Sequence, residues 1–248
     1  MLSATRGTAS SNYVTSIADT EEQIRAAQRL RYRVFADEMG APLDTPLSGH
    51  DVDASDDVAD HLIVTDTTTG EVVGTYRLLS LDRAEVSHSA AEFNLRGLYA
   101  ARSSVIEVGR CCIHPDYRSG AVIKMMWAGM ARYVLLSGRR YLAGCASVPL
   151  DDGGRAASHA WRLGAANHAA PAGYRVRPHR PWTPQGLGEG KPDYAVLPPL
   201  LRGHLHLGAW MCGAPAHDRE CDAADFFVLL DMDRMSDRHR RYFLGETQ

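Results

Sequence analysis

Residues 104–147 leave the fewest choices of fold. Ser104–Ile113 is rich in β-branched residues, Gly120 or Ala121 opens a long amphipathic stretch ending near Gly138, and Tyr141–Ser147 is strand-like again. Apolar spacing that changes from short runs to a helical period and back specifies strand, helix, strand. The first strand and the helix are joined by the loop HPDYRSG. A turn presenting backbone amides at a helix N-terminus is a natural seat for a phosphate, because free N–H groups and the macrodipole both favour anions. Arg118, Ser119, Gly120 and Ala121 stand at that position, and Gly120 permits close approach. Taken alone, a strand–loop–helix with one glycine is more often only a connection.

The flanking sequence extends the pattern. The spacing predicts a first helix from about Glu21 to Met39, with Ile24, Ala27, Leu30, Arg31, Val34 and Phe35 on one face. Thr20 and Gln23 form its capping box, and Gly40 and Pro42 stop it. His61–Asp66 and Glu71–Leu79 read as antiparallel strands joined by the turn Thr67–Gly70. Beyond residue 150 we expect a helix near Arg155–Asn167, a basic strand or loop over Arg175–Pro184, a helix from Pro198-Pro199 through Leu207, and a buried strand Phe226–Leu230. The order is α/β with a mixed sheet. No clean linker interrupts it, so residues 16–248 are expected as one domain with C-terminal elaborations, after a disordered leader over residues 1–15.

Bulk properties exclude several classes. Net charge is −3, which gives no field for nucleic acid. The five cysteines are odd in number and lack C-x-x-C spacing, so neither a disulfide framework nor structural zinc is expected, and a reducing cytoplasm fits. No apolar run approaches the ~20 residues of a membrane span. A calcium loop at Asp51-x-Asp53-x-Ser55 fails, because Asp56 stands where glycine is needed and Leu62 where glutamate is needed. His204 and His206 would diverge on a helix, so no metal site is expected there.

Individual residues carry the chemistry. Glu107 is a carboxylate between Ile106 and Val108 in mid-strand, either a general base for an attacking amine or an ion-pair partner of Arg77 or Arg110. A bulge at Gly109 would bring Glu107 and Arg110 to one face. The segment from Asp44 to Asp60 contains no Lys or Arg. It reads as a solvated loop, or as a field in which Asp57 and Asp60 draw a cationic amine. Cys145 and the Cys111–Cys112 pair read as buried structural thiols. Met125, Met126 and Met130 pack the core or line an acyl tunnel. The basic groups Arg175, Arg177, His179, Arg180 and Arg132, Arg139, Arg140 are solvated faces or docking surfaces for an acidic carrier.

The strand and its HPDYRSG loop resemble the GNAT acyltransferases, in which a bulged central strand precedes a glycine-rich loop that holds the pyrophosphate of coenzyme A. The loop here keeps one glycine. The segments LRYRVFADEMGA, DDVADHLIV, VVGTYRLL, EFNL, IEVGRCCIHPDYRSGAVIKMMW, RYLAGCAS and PPLLRGHLHLGAWMCGAP resemble the ornithine–acyl-[acyl carrier protein] N-acyltransferases, from about residue 28 to residue 243. A more distant resemblance is to the acyl-homoserine lactone synthases. It is carried by Arg31 with Phe35, Asp57 with Asp60, Arg77 with Leu78, Phe93, and Glu107 with Arg110, although a tryptophan expected near Glu38–Gly40 is missing.

These resemblances imply a GNAT-like α/β fold: a mixed, largely antiparallel central sheet with a bulged strand, flanked by helices. They imply transfer of a fatty acyl group from a phosphopantetheine thioester, on acyl carrier protein or coenzyme A, to the amine of an amino acid such as ornithine. No cofactor is held permanently. Glu107 and Arg110 are the expected catalytic residues, and Arg31, Phe35, Asp57, Asp60, Arg77 and Phe93 would bind substrate. Val108, Cys111, Ile113 and Arg118–Ala121 would hold the pantetheine and its phosphate. Acyl carrier protein is the expected partner, with peripheral contact at the inner membrane face through the lipid product. A lactone synthase, a short-chain acetyltransferase and an inactive lipid-binding module are the alternatives.

Overall fold

The computed structural model describes residues 12–83, 87–184 and 191–244. In chain order these form β1 (Tyr13–Ile17), α1 (Glu21–Tyr32), β2 (Asp60–Asp66), β3 (Val72–Ser80), β4 (Phe93–Asn94), β5 (Val105–Ile113), α2 (Ala121–Leu136), β6 (Tyr141–Pro149), α3 (Arg155–Asn167), β7 (Arg177–Pro178), α4 (Pro199–His206), β8 (Trp210–Met211), β9 (Ala216–Asp218), β10 (Ala223–Asp231) and α5 (Asp237–Leu244). They cluster into two compact units. The first takes its described residues from 1–84, 108–138 and 237–248, the second from 85–107 and 139–236, so β5 changes unit between Glu107 and Val108.

In the first unit the strand order is β1-β2-β3-β5, with β1–β2 and β2–β3 antiparallel. Strand alternation sends neighbouring side chains to opposite faces. Cys112 accordingly packs with Leu30 of α1 and with Val34 just beyond its end, while Cys111 meets the hydroxyl of Tyr76, which also bonds Trp127 of α2. Two glycines let α2 lie close to the strands. A Cβ on Gly74 would sit 2.6 Å from Val122 Cγ1, and one on Gly129 would sit 2.8 Å from Leu62 Cδ1.

The first helix departs from its expected course. Thr20 accepts from Gln23 N at 3.3 Å, and the Gln23 side chain reaches back to Asp19 N at 2.9 Å. From Arg33 to Glu38 the winding loosens into a π turn, in which Met39 N bonds Val34 O five residues back. Gly40, at φ 70°, ends it. Strand β1 begins at Tyr13, inside the stretch expected as leader; the leader's residues up to 11 lie outside the described residues.

In the second unit β5 pairs in parallel with β6 through Val105↔Tyr141, Ile106↔Leu142 and Glu107↔Ala143. Along its whole length β10 is antiparallel to β6, and it carries β8 and β9. One face of β6 and β10, with Ala146, Val148, Ala224, Phe226 and Val228, buries Leu163 of α3 and Leu201 and Leu205 of α4. Each such leucine contributes about 1.5–3 kcal/mol relative to exposure. Cys145, Ser147, Asp225 and Phe227 alternate with those residues and occupy the opposite face. Within the expected Arg175–Pro184 segment the ladder is short: Arg177 and Pro178 pair with Asn94 and Phe93. No described helix is long and apolar enough to cross a membrane.

Candidate active site

The polar face of the second unit gathers groups from four elements. Glu107 is 4% exposed, and its Oε1 accepts from Ser89 N at 3.1 Å. Ser89 Oγ accepts from the Cys145 thiol at 3.4 Å. Glu92 and Asp225 share a side-chain hydrogen bond, and Asp225 also bonds Ser147. Burial, then Asp225 and the charges of Asp218 and Glu107, push Glu92 up to about 9; burial raises Asp225 as well. Two carboxyls in contact and out of water cannot both ionise cheaply, so the pair holds a proton. Burial, with Glu92, Asp225 and Glu107 nearby, keeps the Cys145 thiol well above its ordinary value, the opposite of what a nucleophilic thiolate needs.

In the first unit an arginine–aspartate network closes on itself. Arg31, 0% exposed, donates to both Asp56 oxygens at 2.9 and 2.7 Å and meets Asp51 Oδ2 at 3.0 Å through Nε. Arg77 meets Asp53 at 2.7 Å and Asp56 at 3.3 Å. Arg110 reaches Asp51 at 3.4 Å and Asp53 at 3.8 Å, with its guanidinium 5.3 Å from the Phe35 ring centre. Burial opposes ionisation of Asp53, but the Arg77 hydrogen bond and charge overcome it and bring the group to about 2. Burial opposes Asp56 too, and the Arg31 hydrogen bonds and charge lower it all the same. Burial and the Arg31 charge hold His61 below its ordinary value and hence neutral.

The acidic pole expected at Asp57 and Asp60 stands apart from this network. The aspartates that meet the arginines are Asp51, Asp53 and Asp56; Asp57 and Asp60 are not among them. Asp57 is exposed, and Asp60 accepts from the Tyr133 hydroxyl. The spacing D-x-x-D occurs twice in the segment, and local hydrogen bonding selects between the copies. Asp53 caps the short helical turn Ala54–Asp57 by accepting from Ser55 N, and Asp56 accepts from Asp53 N at 3.1 Å. A capping motif in the sequence was therefore the available signal.

The irregularity in β5 falls on Arg110, at φ 52°, rather than on Gly109. A non-glycine residue there costs roughly 1–2 kcal/mol; the two aspartates and the Phe35 face offset it. Phe93, expected to touch substrate, is 1% exposed with its ring 5.8 Å from that of Phe227. Val108, Cys111 and Ile113 lie on the partly exposed stretch of β5, but the Ile113 carbonyl is taken by Arg118 Nε and Nη2, both at 3.1 Å. Arg118 and Ser119 are exposed, and Gly120, at φ 91°, precedes α2 without a side-chain cap. Burial brings His204 down to about 4, while His206 stacks near Tyr194 at 5.6 Å. Of the basic groups, Arg140 is bound to Asp231 at 2.8 Å and Asp233 at 3.1 Å.

Sequence reasoning misses Glu92 and Asp225. For Asp225 the signal is the one that marks Glu107, a carboxylate in an apolar strand, but a strand expected to start at Phe226 leaves it outside; Glu92 stands in the turn before β4, where no such signal exists.

Residues 30–128 match the family described as Acetyltransferase (GNAT) domain. The chain is 33% identical over 251 residues to the L-ornithine N(alpha)-acyltransferase of Brucella abortus (strain 2308), covering 93% of this chain and 88% of that one. It is 34% identical over 254 residues to the enzyme of the same name from Rhodobacter capsulatus, covering 96% of each. Among solved structures, the AHL synthase LasI aligns with a TM-score of 0.56 at 12% identity, over 95% of this chain and 96% of that one. The CoA-dependent acyl-homoserine lactone synthase BjaI, solved with SAM and isopentyl-CoA, aligns with a TM-score of 0.56 at 17% identity, over 91% and 82%. At those identities the likeness is one of fold, a mixed and largely antiparallel sheet flanked by helices.

Proposed function

Since this chain belongs to the L-ornithine N(alpha)-acyltransferase family, we propose that it moves a fatty acyl group from a phosphopantetheine thioester to the α-amine of ornithine, the first step of ornithine-lipid synthesis. The observation that carries this reading is the 33% identity sustained over 93% of the chain. The donor thioester is borne by acyl carrier protein in preference to coenzyme A, a reading supported by the single glycine of the RSGA loop.

Glu107 is the base. An amino group arrives as an ammonium and must lose a proton before it can attack. Glu107 is buried and oriented by the Ser89 amide, and it takes that proton. The amine then attacks the thioester carbonyl and the C–N bond forms; as the C–S bond breaks, the attacking nitrogen gives up its second proton to the departing pantetheine thiolate, leaving an amide and a free thiol. Backbone groups along Val108 and Cys111 hold the pantetheine arm and the developing oxyanion, Ile113 being engaged through its carbonyl by Arg118, and Arg118–Ala121 receive the phosphate. Holding both reactants in place supplies much of the rate.

The three network arginines divide their work. Arg31 and Arg77, at 0% and 4% side-chain exposure, hold the scaffold, whereas Arg110 at 21% has room to grip the acceptor carboxylate.

The test is to incubate the protein with a long-chain acyl-carrier protein and a panel of amino acids, then find by mass spectrometry which acceptor gains the acyl mass. N-acyl-ornithine is expected. Acylation of neutral amines as readily as ornithine, or no acyl transfer at all, overturns the reading.

A further inference from the structure

One contact beside the donor loop has no part in the reaction proposed above. Arg118 Nη1 and Nη2 donate to the two carboxylate oxygens of Glu38 at 2.6 and 2.7 Å, and Nε and Nη2 also donate to Ile113 O. The fork that a phosphate would engage is thus already held on both edges. The Arg118 hydrogen bonds keep Glu38 below its ordinary value, so it carries its charge at neutral pH.

Glu38 ends the π turn Arg33–Glu38. Such turns are rare and concentrate at functional sites. Here the turn directs three side chains along the end of β5 and the loop after it. Phe35 lies under Arg110, Arg33 meets the His114 ring, and Glu38 meets Arg118.

We propose that Glu38 is a donor-selectivity residue, which by occupying Arg118 discriminates against donors that carry several phosphates. The inference rests on reading Arg118–Ala121 as the phosphate seat. Carrier-bound pantetheine presents one phosphodiester charge there. Free acyl-coenzyme A brings a pyrophosphate and a 3′-phosphate. A fixed carboxylate at the seat repels each donor in proportion to its charge and competes for the same guanidinium. Side-chain exposure of the pair is 43% for Arg118 and 38% for Glu38. Exposed ion pairs are weak and exchange readily, so Glu38 biases the choice of donor without locking the seat.

The experiment measures kcat/KM at saturating ornithine for acyl-coenzyme A and acyl-carrier protein of matched chain length. It uses the wild type, Glu38→Gln, Arg118→Gln and the double variant. Glu38→Gln is expected to raise kcat/KM for acyl-coenzyme A about 3–10-fold through KM, the range set by one exposed charge pair and the extra phosphate charges. The carrier-protein value should stay within about twofold, and the gain should vanish in the Arg118→Gln background. Added salt should narrow the wild-type preference, since it screens exposed charges. If Glu38→Gln still makes acyl-ornithine with an unchanged donor ratio, or speeds both donors alike, the inference is overturned while the proposed reaction stands. If the wild type makes no acyl-ornithine from either donor, the proposed reaction itself fails.

Discussion

Asp56 joins two buried arginines, and replacing it tests whether the network is the scaffold of the first unit. In Asp56→Asn the side chain keeps its shape but loses the charge that receives two Arg31 hydrogen bonds and the 3.3 Å contact from Arg77. Its side chain is 4% exposed and that of Arg31 is 0%, so water cannot replace the missing partner. Breaking a buried pair by removing one member costs about 3–5 kcal/mol. The retained amide oxygen argues for the lower end, ~3 kcal/mol. For a chain of this size each kcal/mol shifts Tm by about 2–4 °C, so a fall of roughly 6–12 °C is expected. Asp57→Asn, at an exposed neighbour, should stay within about 0.5 kcal/mol. Thermal unfolding by circular dichroism at neutral pH measures both. The folded-state value of Asp56 lies below its ordinary 3.8. Its contribution is therefore present above that value and lost as pH falls through the lowered one, so the gap between wild type and Asp56→Asn should close in acid. Equal shifts for the two variants, or a loss under about 2 °C for Asp56→Asn, would refute the reasoning.

Two further outcomes follow from the second unit. Glu107→Gln should lower kcat by roughly 100-fold or more with Tm little changed; turnover within a factor of two of wild type would make Glu107 structural. Glu92 rises from 4.5 to about 9 on folding, so the folded state holds the extra proton across that window and stability falls as pH rises through it. Glu92→Gln removes that dependence, and its Tm relative to wild type should climb between about pH 6 and pH 9. A constant difference across that range would count against the proton-sharing pair.

Much of this is legible without coordinates. Periodicity places helix α3 at Arg155–Asn167, where it stands. It places strands β2, β3 and β5 to within a residue at each end, and α2 to within two at its C-terminus. Periodicity is a local property, recorded in every few residues, and capping groups mark the ends. Glu107 is visible for a similar reason: a carboxylate inside an apolar strand contradicts its surroundings. Membership of a GNAT-type family is legible too, because segments in fixed order survive where single motifs degenerate.

Tertiary structure alone decided the rest. That Asp51, Asp53 and Asp56 meet the arginines while Asp57 and Asp60 do not depended on where Arg31, Arg77 and Arg110 converge, and those come from α1, β3 and β5. Tyr13–Ile17 holds four strand formers, Tyr13, Val14, Thr15 and Ile17, but five residues are too short to declare a strand alone, and it is pairing with β2 that fixes them as one. The loosening of the first helix into a π turn at Arg33 accompanies contacts of Phe35 and Glu38 with Arg110 and Arg118, which no local pattern records. Glu92 and Asp225 acquire their shared proton only when the turn before β4 and the strand β10 bring them together out of water. Local sequence specifies which backbone bonds can form, whereas the partners of a buried charge are chosen by the packing that removes it from solvent.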